Sequence, residues 1–273
     1  MNRLFFRMFF VVICCMSITV VSSHASQPEE IEGAKDIYRK YNLVGSFLLY
    51  DYNKNEYMVC DPDRCNTGFS PASTFKIPNT LIALETGVIT PQTIFHWEGE
   101  KRRNEKWEAD MDITQAYKVS NVPVYQEIAR KIGLQRMQYY VSLLHYGEMD
   151  ICADNLDMFW LEGRSTITQF QQIYFLKQLY EQRLPLKQQT MNDMKQIMCW
   201  EETEDYILYA KTGWSDTGEK EYAWLTGYYV MNNGNVYFFA NVIEKTDQTD
   251  MTQFGSYRMM TTREILSGLL ILK

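Results

Sequence analysis

Ser73 and Lys76 stand three residues apart in Ser73-Thr74-Phe75-Lys76, and no other serine of the chain has a lysine at that spacing. On a helix that spacing puts the two side chains on neighbouring positions of one face. A serine hydroxyl is a weak nucleophile at neutral pH, and a lysine serves as its base only where the charged form is disfavoured, as burial does. A capping serine beside a surface lysine is the plainer alternative, and the pair alone does not exclude it. Further along, Lys211-Thr212-Gly213-Trp214 offers a cation and a hydroxyl for an anion, with a glycine that lets a substrate approach the backbone. Ser120-Asn121-Val122 is a third motif and adds a second serine, which by itself reads as a helix cap.

The elements that must hold these residues follow from periodicity. Val44 to Tyr50 and Glu56 to Cys60 read as strands joined by a turn over 51–55. Tyr222 to Val230 and Val236 to Ile243 form a second hairpin around Asn232-Asn233-Gly234-Asn235. Tyr206 to Ala210 reads as a strand that ends where Lys211 begins. Helical spacing covers Pro71 to Thr86, Val122 to Ile132, Gln135 to Leu144, Thr168 to Glu181, Lys187 to Cys199 and Met259 to Leu270. Strands near both ends with helices between them predict an α+β fold: an antiparallel sheet flanked by terminal helices, with a helical lobe beside it.

The chain has 273 residues and a net charge of −7. It opens with Arg3 and Arg7, an apolar run from Met8 to Met16, and the small-residue site Ser23-His24-Ala25, the layout of a signal peptide over residues 1–25. The remaining 26–273 form one domain with no repeat or linker. Loss of Arg3 and Arg7 takes the charge to −9, which disfavours nucleic acid as a partner. No other apolar stretch approaches roughly 20 residues, so no membrane span is expected in the mature chain. Export would leave Cys60, Cys65, Cys152 and Cys199 in an oxidising compartment, with Cys60 and Cys65 as the first candidates for a bridge. A zinc site on that pair lacks a second half, because His96 and His145 are distant in the chain, and no metal is expected.

Taken in order, Ser-x-x-Lys, Ser-x-Val and Lys-Thr-Gly resemble the motifs of the penicillin-recognising serine enzymes. The strings Phe69-Ser70-Pro71-Ala72-Ser73-Thr74-Phe75-Lys76-Ile77-Pro78-Asn79, Leu84-Glu85-Thr86-Gly87 and Phe159-Trp160-Leu161-Glu162-Gly163 resemble the class D (oxacillinase-type) β-lactamases. The chain departs from the family at Glu148, where Tyr146-Gly147-Glu148 replaces Tyr-Gly-Asn; a carboxylate there could alter loop packing or the tolerance of an anionic substrate.

The resemblance implies a periplasmic enzyme that hydrolyses small-molecule β-lactam antibiotics, and so confers resistance, through an acyl-enzyme on Ser73. It also implies that Lys76 is N-carboxylated by carbon dioxide and serves as general base, with Trp160 hydrogen-bonded to the carbamate and Val122 and Leu161 as apolar cover. Ser120 would relay a proton, and the backbone N–H groups of Ser73 and Trp214 would form the oxyanion hole. Lys211, Thr212, Gly213 and Arg258 would bind the substrate carboxylate, with Tyr146 in the pocket. Arg263, close to Arg258, competes for that last role. No cofactor beyond the carbon dioxide is implied. His145 reads as structural, and Glu162 lies outside any motif that would make it a base. A penicillin-binding transpeptidase and an antibiotic-sensing receptor domain share the nucleophile and are the rival readings.

Overall fold

The computed structural model describes residues 28–216 and 220–272, so the signal-peptide reading of residues 1–25 lies outside the described residues. The chain begins with strand β1 (Glu29–Glu30), helix α1 (Ala34–Lys40) and the hairpin β2 (Leu43–Asp51) and β3 (Glu56–Cys60). Asp51 closes the hairpin turn by accepting from the N–H groups of Asn53 and Lys54 at 3.1 Å each. Helix α2 (Pro62–Cys65) leads to a 3-10 turn, Ala72–Phe75, that runs directly into α3 (Lys76–Glu85).

A helical lobe follows. The short strands β4 (Ile94–Phe95) and β5 (Met111–Asp112) pair with each other, and α4 (Ile113–Lys118), α5 (Val122–Ile132), α6 (Leu134–Leu144), α7 (Gln169–Tyr180) and α8 (Gln188–Met198) complete it. Local chemistry sets the starts of these helices. Asp112 and Gln115 form a capping box on α4, Thr168 and Gln171 form one on α7, and the Asn121 side chain accepts from Val124 N–H at the start of α5. The chain then returns through β6 (Cys199–Glu202), β7 (Tyr206–Ser215), β8 (Tyr222–Met231) and β9 (Val236–Lys245), and closes with α9 (Phe254–Gly268).

The main sheet has the order β1-β3-β2-β9-β8-β7-β6 and is antiparallel except for β1 against β3. The two ends of the chain meet at its centre, where β2 and β9 pair from Leu43↔Lys245 to Asp51↔Tyr237. Alternation along β2 divides the core: Phe47 and Leu49 face α1 and α9, while Leu48 and Tyr50 face the helical lobe. Each such fully buried side chain contributes roughly 1.5–3 kcal/mol. Gln169 at the start of α7 fastens the lobe to the sheet, donating to the carbonyls of Ser46 at 3.2 Å and Ala240 at 2.5 Å.

The α+β architecture is the one expected. The short helices α1, α2 and α4 and the short strands β1, β4, β5 and β6 are additions to the elements expected from the sequence, and three further details differ. β7 does not end at Ala210 but carries Lys211 to Trp214 inside the ladder, paired with Thr226 to Ala223 of β8. The last helix starts at Phe254, five residues before Met259, because Phe254 is buried against the sheet. Cys60 and Cys65 are free, buried thiols, and Cys65 Sγ points to the Cys60 carbonyl at 3.6 Å instead of to its sulfur. Burial pushes both thiols up, Cys60 to about 11, which leaves little thiolate to form a bridge. No described helix is long and apolar enough to cross a membrane.

Candidate active site

The segment that carries Ser73 is held from three sides. Phe69 forms a bridge with Ile167, and Ser70 donates its N–H to Tyr222 Oη at 2.8 Å and its hydroxyl to the Trp160 carbonyl at 3.1 Å. Trp224 Nε1 donates to the Ser70 carbonyl at 3.0 Å. Ala72, fully buried, takes a left-handed φ of 46°, which for a non-glycine residue is a strained conformation that the surrounding contacts must hold. The 3-10 turn that follows eclipses residues three apart, so Ser73 and Lys76 meet more directly than on an α-helix. Lys76 Nζ lies 2.8 Å from Ser73 Oγ.

Lys76 has no solvent exposure, and burial lowers its amine from 10.5 to about 7. The Tyr125 ring covers it, with the centroid 5.0 Å from Nζ, and Thr80 Oγ1 holds that tyrosine hydroxyl at 2.8 Å. Tyr125 was not singled out from the sequence, although it lies three residues after Val122 on the same face of α5. Trp160 is fully buried, stacked on Phe75 at 5.5 Å and 18°, and its indole N–H has no partner among the described residues.

Ser120 is not a cap. It is the left-handed residue, φ 55°, that ends α4: its N–H bonds to Tyr117 O at 3.1 Å and the next N–H, of Asn121, to Ala116 O at 2.9 Å. Asn121 provides the cap of α5 instead. The turn presents Ser120 Oγ to Lys211 Nζ at 3.1 Å. Lys211 is buried and also bonds the Thr212 carbonyl and hydroxyl at 3.1 and 3.2 Å. Its amine is held well below the ordinary lysine range by burial first, then by Lys76 and Arg258.

Arg258 on α9 donates to the Gly213 carbonyl at 2.9 Å, and its guanidinium lies 6.0 Å from the Trp214 ring. Burial lowers it to about 10. Arg263 faces away and pairs with Glu201, which removes it from the site. Among the described residues, the hydrogen bonds of Lys211 and Arg258 go to neutral oxygens; Arg258 lines the cleft, and Lys211, buried, reaches it through Ser120 and Thr212.

That cleft encloses about 1060 Å³ and is lined by Ser73, Ser120, Val122, Leu161, Thr212, Gly213, Trp214 and Arg258 among others. The ladder from β6 reaches β7 only as far as Tyr209, so the edge of β7 beyond it is open to the cleft. Tyr146 is not a pocket wall: it is fully buried behind the Ser73 turn, with its hydroxyl 3.1 Å from Thr74 Oγ1 and within 3.3 Å of Gln172. Glu148 is exposed and absent from the lining, its backbone bridged to Thr166. His145 is an exposed, left-handed cap of α6. Glu162 lines the rim.

Sequence reading did not identify Arg103, Trp107, Trp200 and Asp216, which complete the walls. Arg103 and Asp216 pair at 2.5 Å, and Trp200 is the residue left without a partner where the β6–β7 register shifts. Neither feature has a motif; both depend on loops meeting.

The family model described as the penicillin binding protein transpeptidase domain matches residues 45–267. Beta-lactamase OXA-5 of Pseudomonas aeruginosa is 41% identical over 233 residues, 83% of this chain and 86% of that protein. Beta-lactamase OXA-48 of Klebsiella pneumoniae is 35% identical over 256 residues, covering 93% and 94%. Among solved structures, the class D β-lactamase YbXI from Nostoc superposes with a TM-score of 0.82 at 38% identity over 88% of this chain and 99% of that one. A buried lysine against a serine, a serine against a second buried lysine, and an open strand edge beside them are thus found on a chain that belongs to the penicillin binding protein transpeptidase domain family and, within it, to the class D β-lactamases.

Proposed function

We propose that this protein hydrolyses β-lactam antibiotics through an acyl-enzyme on Ser73. The observation that carries the reading is the 2.8 Å contact between Ser73 Oγ and Lys76 Nζ, made by a lysine that burial brings close to neutrality. The relatives named as β-lactamases support the substrate class. Ser73 Oγ bonds to the lactam carbonyl carbon while its proton leaves toward Lys76. The ring C–N bond then breaks, and Ser120 passes a proton to the leaving nitrogen. The N–H groups of Ser73 and Trp214 stabilise the oxyanion, a contribution worth roughly 10²–10³ in rate per donor. Lys211, Thr212 and Arg258 hold the substrate carboxylate. A Cβ on Gly213 would come within 3.2 Å of the Pro71 carbonyl and Trp224, so the glycine keeps the strand close to the nucleophile turn.

The residues around Lys76 also fit its carboxylation by carbon dioxide. Only the neutral amine reacts with carbon dioxide, and burial favours that form. The unpartnered Trp160 N–H is a donor for such a group, with Val122 and Leu161 as apolar cover. When present, the carbamate supplies an anionic base for Ser73 and for the deacylating water. We infer further that residues 1–25 direct export to the periplasm, where the activity would confer β-lactam resistance.

Intact-mass measurement during reaction with benzylpenicillin tests the proposal. Expected is a transient gain of one intact penicillin that disappears when substrate is consumed, and no gain in Ser73→Ala. An adduct that outlasts removal of free penicillin would overturn hydrolysis in favour of a transpeptidase or a sensor.

A further inference from the structure

On β9, in the middle of the sheet and outside the cleft, Asn241 is fully buried and uses its whole side-chain amide. Its Oδ1 accepts from Tyr38 Oη of α1 at 2.8 Å. Its Nδ2 faces three oxygens of α9: the Arg258 carbonyl at 3.0 Å and the hydroxyls of Thr261 and Thr262 at 2.9 Å each. A carbonyl cannot donate, so the contact with Arg258 fixes which way the amide points. Both threonines give their own protons to α9 carbonyls, Thr261 to Tyr257 at 2.8 Å and Thr262 to Arg258 at 2.7 Å, so their oxygens are free to accept from Asn241.

The sheet register connects this network to the site. Asn241 pairs with Leu225, and Leu225 pairs with Thr212, so the three lie in one row across β9, β8 and β7. Asn241 therefore grips the Arg258 backbone two strand spacings, roughly 10 Å, from Thr212. From there the Arg258 side chain reaches back to the Gly213 carbonyl at 2.9 Å. The start of α9 is fixed separately. Phe254 packs edge-on against Trp214 at 5.2 Å, and a Cβ on Gly255 would come within 2.8 Å of the Trp214 ring. Tyr38 in turn lies flat on Gly45 of β2, where a Cβ would meet its ring at 2.3 Å.

We propose that Asn241 is a positioning residue for substrate recognition: pinned by Tyr38, it fixes the Arg258 backbone so that the guanidinium meets the carboxylate of a β-lactam at Thr212 and Gly213. This rests on the reading of Arg258 as a carboxylate-binding residue. Asn241 touches no substrate and acts only through Arg258, so its loss affects binding of an anionic substrate and spares a neutral one.

The test compares kcat and KM for benzylpenicillin and its methyl ester in wild type, Asn241→Leu, Tyr38→Phe, Arg258→Ala and Asn241→Leu/Arg258→Ala. Expected for Arg258→Ala is a KM for the acid raised about ten- to hundredfold, with the ester little changed. Asn241→Leu raises the acid KM roughly tenfold with kcat within about twofold of wild type, and the double variant is no worse than Arg258→Ala. Tyr38→Phe, which removes one hydroxyl, moves KM the same way by about two- to threefold and decides the matter if Asn241→Leu does not fold. Equal losses on acid and ester, or effects of Asn241→Leu and Arg258→Ala that multiply, would overturn the positioning role. An acid KM unchanged in Arg258→Ala itself would instead overturn the carboxylate reading, and with it the role of Asn241.

Discussion

Ser120 Oγ is delivered to within 3.1 Å of Lys211 Nζ by a backbone twisted to φ 55°. The position that ends α4 in this geometry is one where glycine is the usual residue, since it has no Cβ to strain the left-handed conformation. A serine there costs stability in return for a hydroxyl placed between a lysine and the cleft.

Ser120→Gly should therefore make the protein more stable and less active. Relief of strain is worth about 1 kcal/mol, which at this chain length raises Tm by about 2–4 °C. Loss of the proton relay should lower kcat by roughly 10²-fold or more. Ser120→Ala keeps the strain and should lose rate without gaining stability. Thermal melts and steady-state kinetics on the two variants check the pairing of effects; a Ser120→Gly enzyme with unaltered kcat would exclude the relay.

A second contrast concerns neighbours in the loop after α6. Gly147 has φ 59°, and a Cβ there would come within 2.5 Å of the Thr166 carbonyl, whereas the Glu148 side chain is exposed and only its backbone pairs with Thr166. Gly147→Ala should destabilise by about 2–4 kcal/mol in urea unfolding. Glu148→Asn should shift stability by no more than about 0.5 kcal/mol and leave kcat/KM for an anionic penicillin within about twofold of wild type. A strong gain in anionic-substrate turnover in Glu148→Asn would restore the electrostatic role that its exposure argues against.

The pairing of Ser73 with Lys76 was legible in sequence because both lie on one helical turn, and the longer strands and helices were legible because their apolar periods are unbroken; α1, α4 and β6 were not, being too short to show a period. Lys211 and Thr212 were legible as a cation and a hydroxyl beside a glycine, but their place inside β7 was not, since nothing in Tyr206 to Ser215 marks where β6 stops pairing. Tyr146 was misplaced for a related reason: its motif says that it is near the nucleophile, and only packing against Thr74 and Gln172 shows that it is behind it. Asn241, Arg103 and Asp216 carry no local signature at all, because each acts on a residue brought near by the sheet or by a loop.

Trp160 offers a test of the carboxylated lysine that separates its N–H from its bulk. Trp160→Phe retains a ring to stack on Phe75 and removes the unpartnered donor. Expected is a higher bicarbonate concentration for half-maximal activity, with deacylation slowed more than acylation in a stopped-flow assay. ¹³C NMR with labelled bicarbonate should show a carbamate signal in wild type that weakens in the variant. Identical bicarbonate dependence in both proteins, with no signal in either, would exclude the carbamate and leave the amine of Lys76 as the base.

The buried amine of Lys76 also predicts how stability and activity move with pH. It titrates at about 7 in the folded protein and near 10.5 when unfolded. Between those values the unfolded chain holds a proton that the folded protein does not, so stability rises with pH across that window. Below about pH 7 both states are protonated and the folded one bears the full cost of a buried ammonium, of the order of a few kcal/mol. In bicarbonate-free buffer, Lys76→Met should thus be more stable than wild type at pH 6, and its advantage should shrink steadily as pH rises from 7 toward 10. The same titration governs catalysis in the same direction: wild-type kcat/KM falls as pH drops through about 7, because the amine that accepts the Ser73 proton is lost. Urea midpoints of both proteins and a wild-type pH–rate profile make the comparison. A Lys76→Met protein no more stable than wild type at pH 6 would mean that the ammonium finds solvent or an anion, and the neutral-lysine base would fail with it.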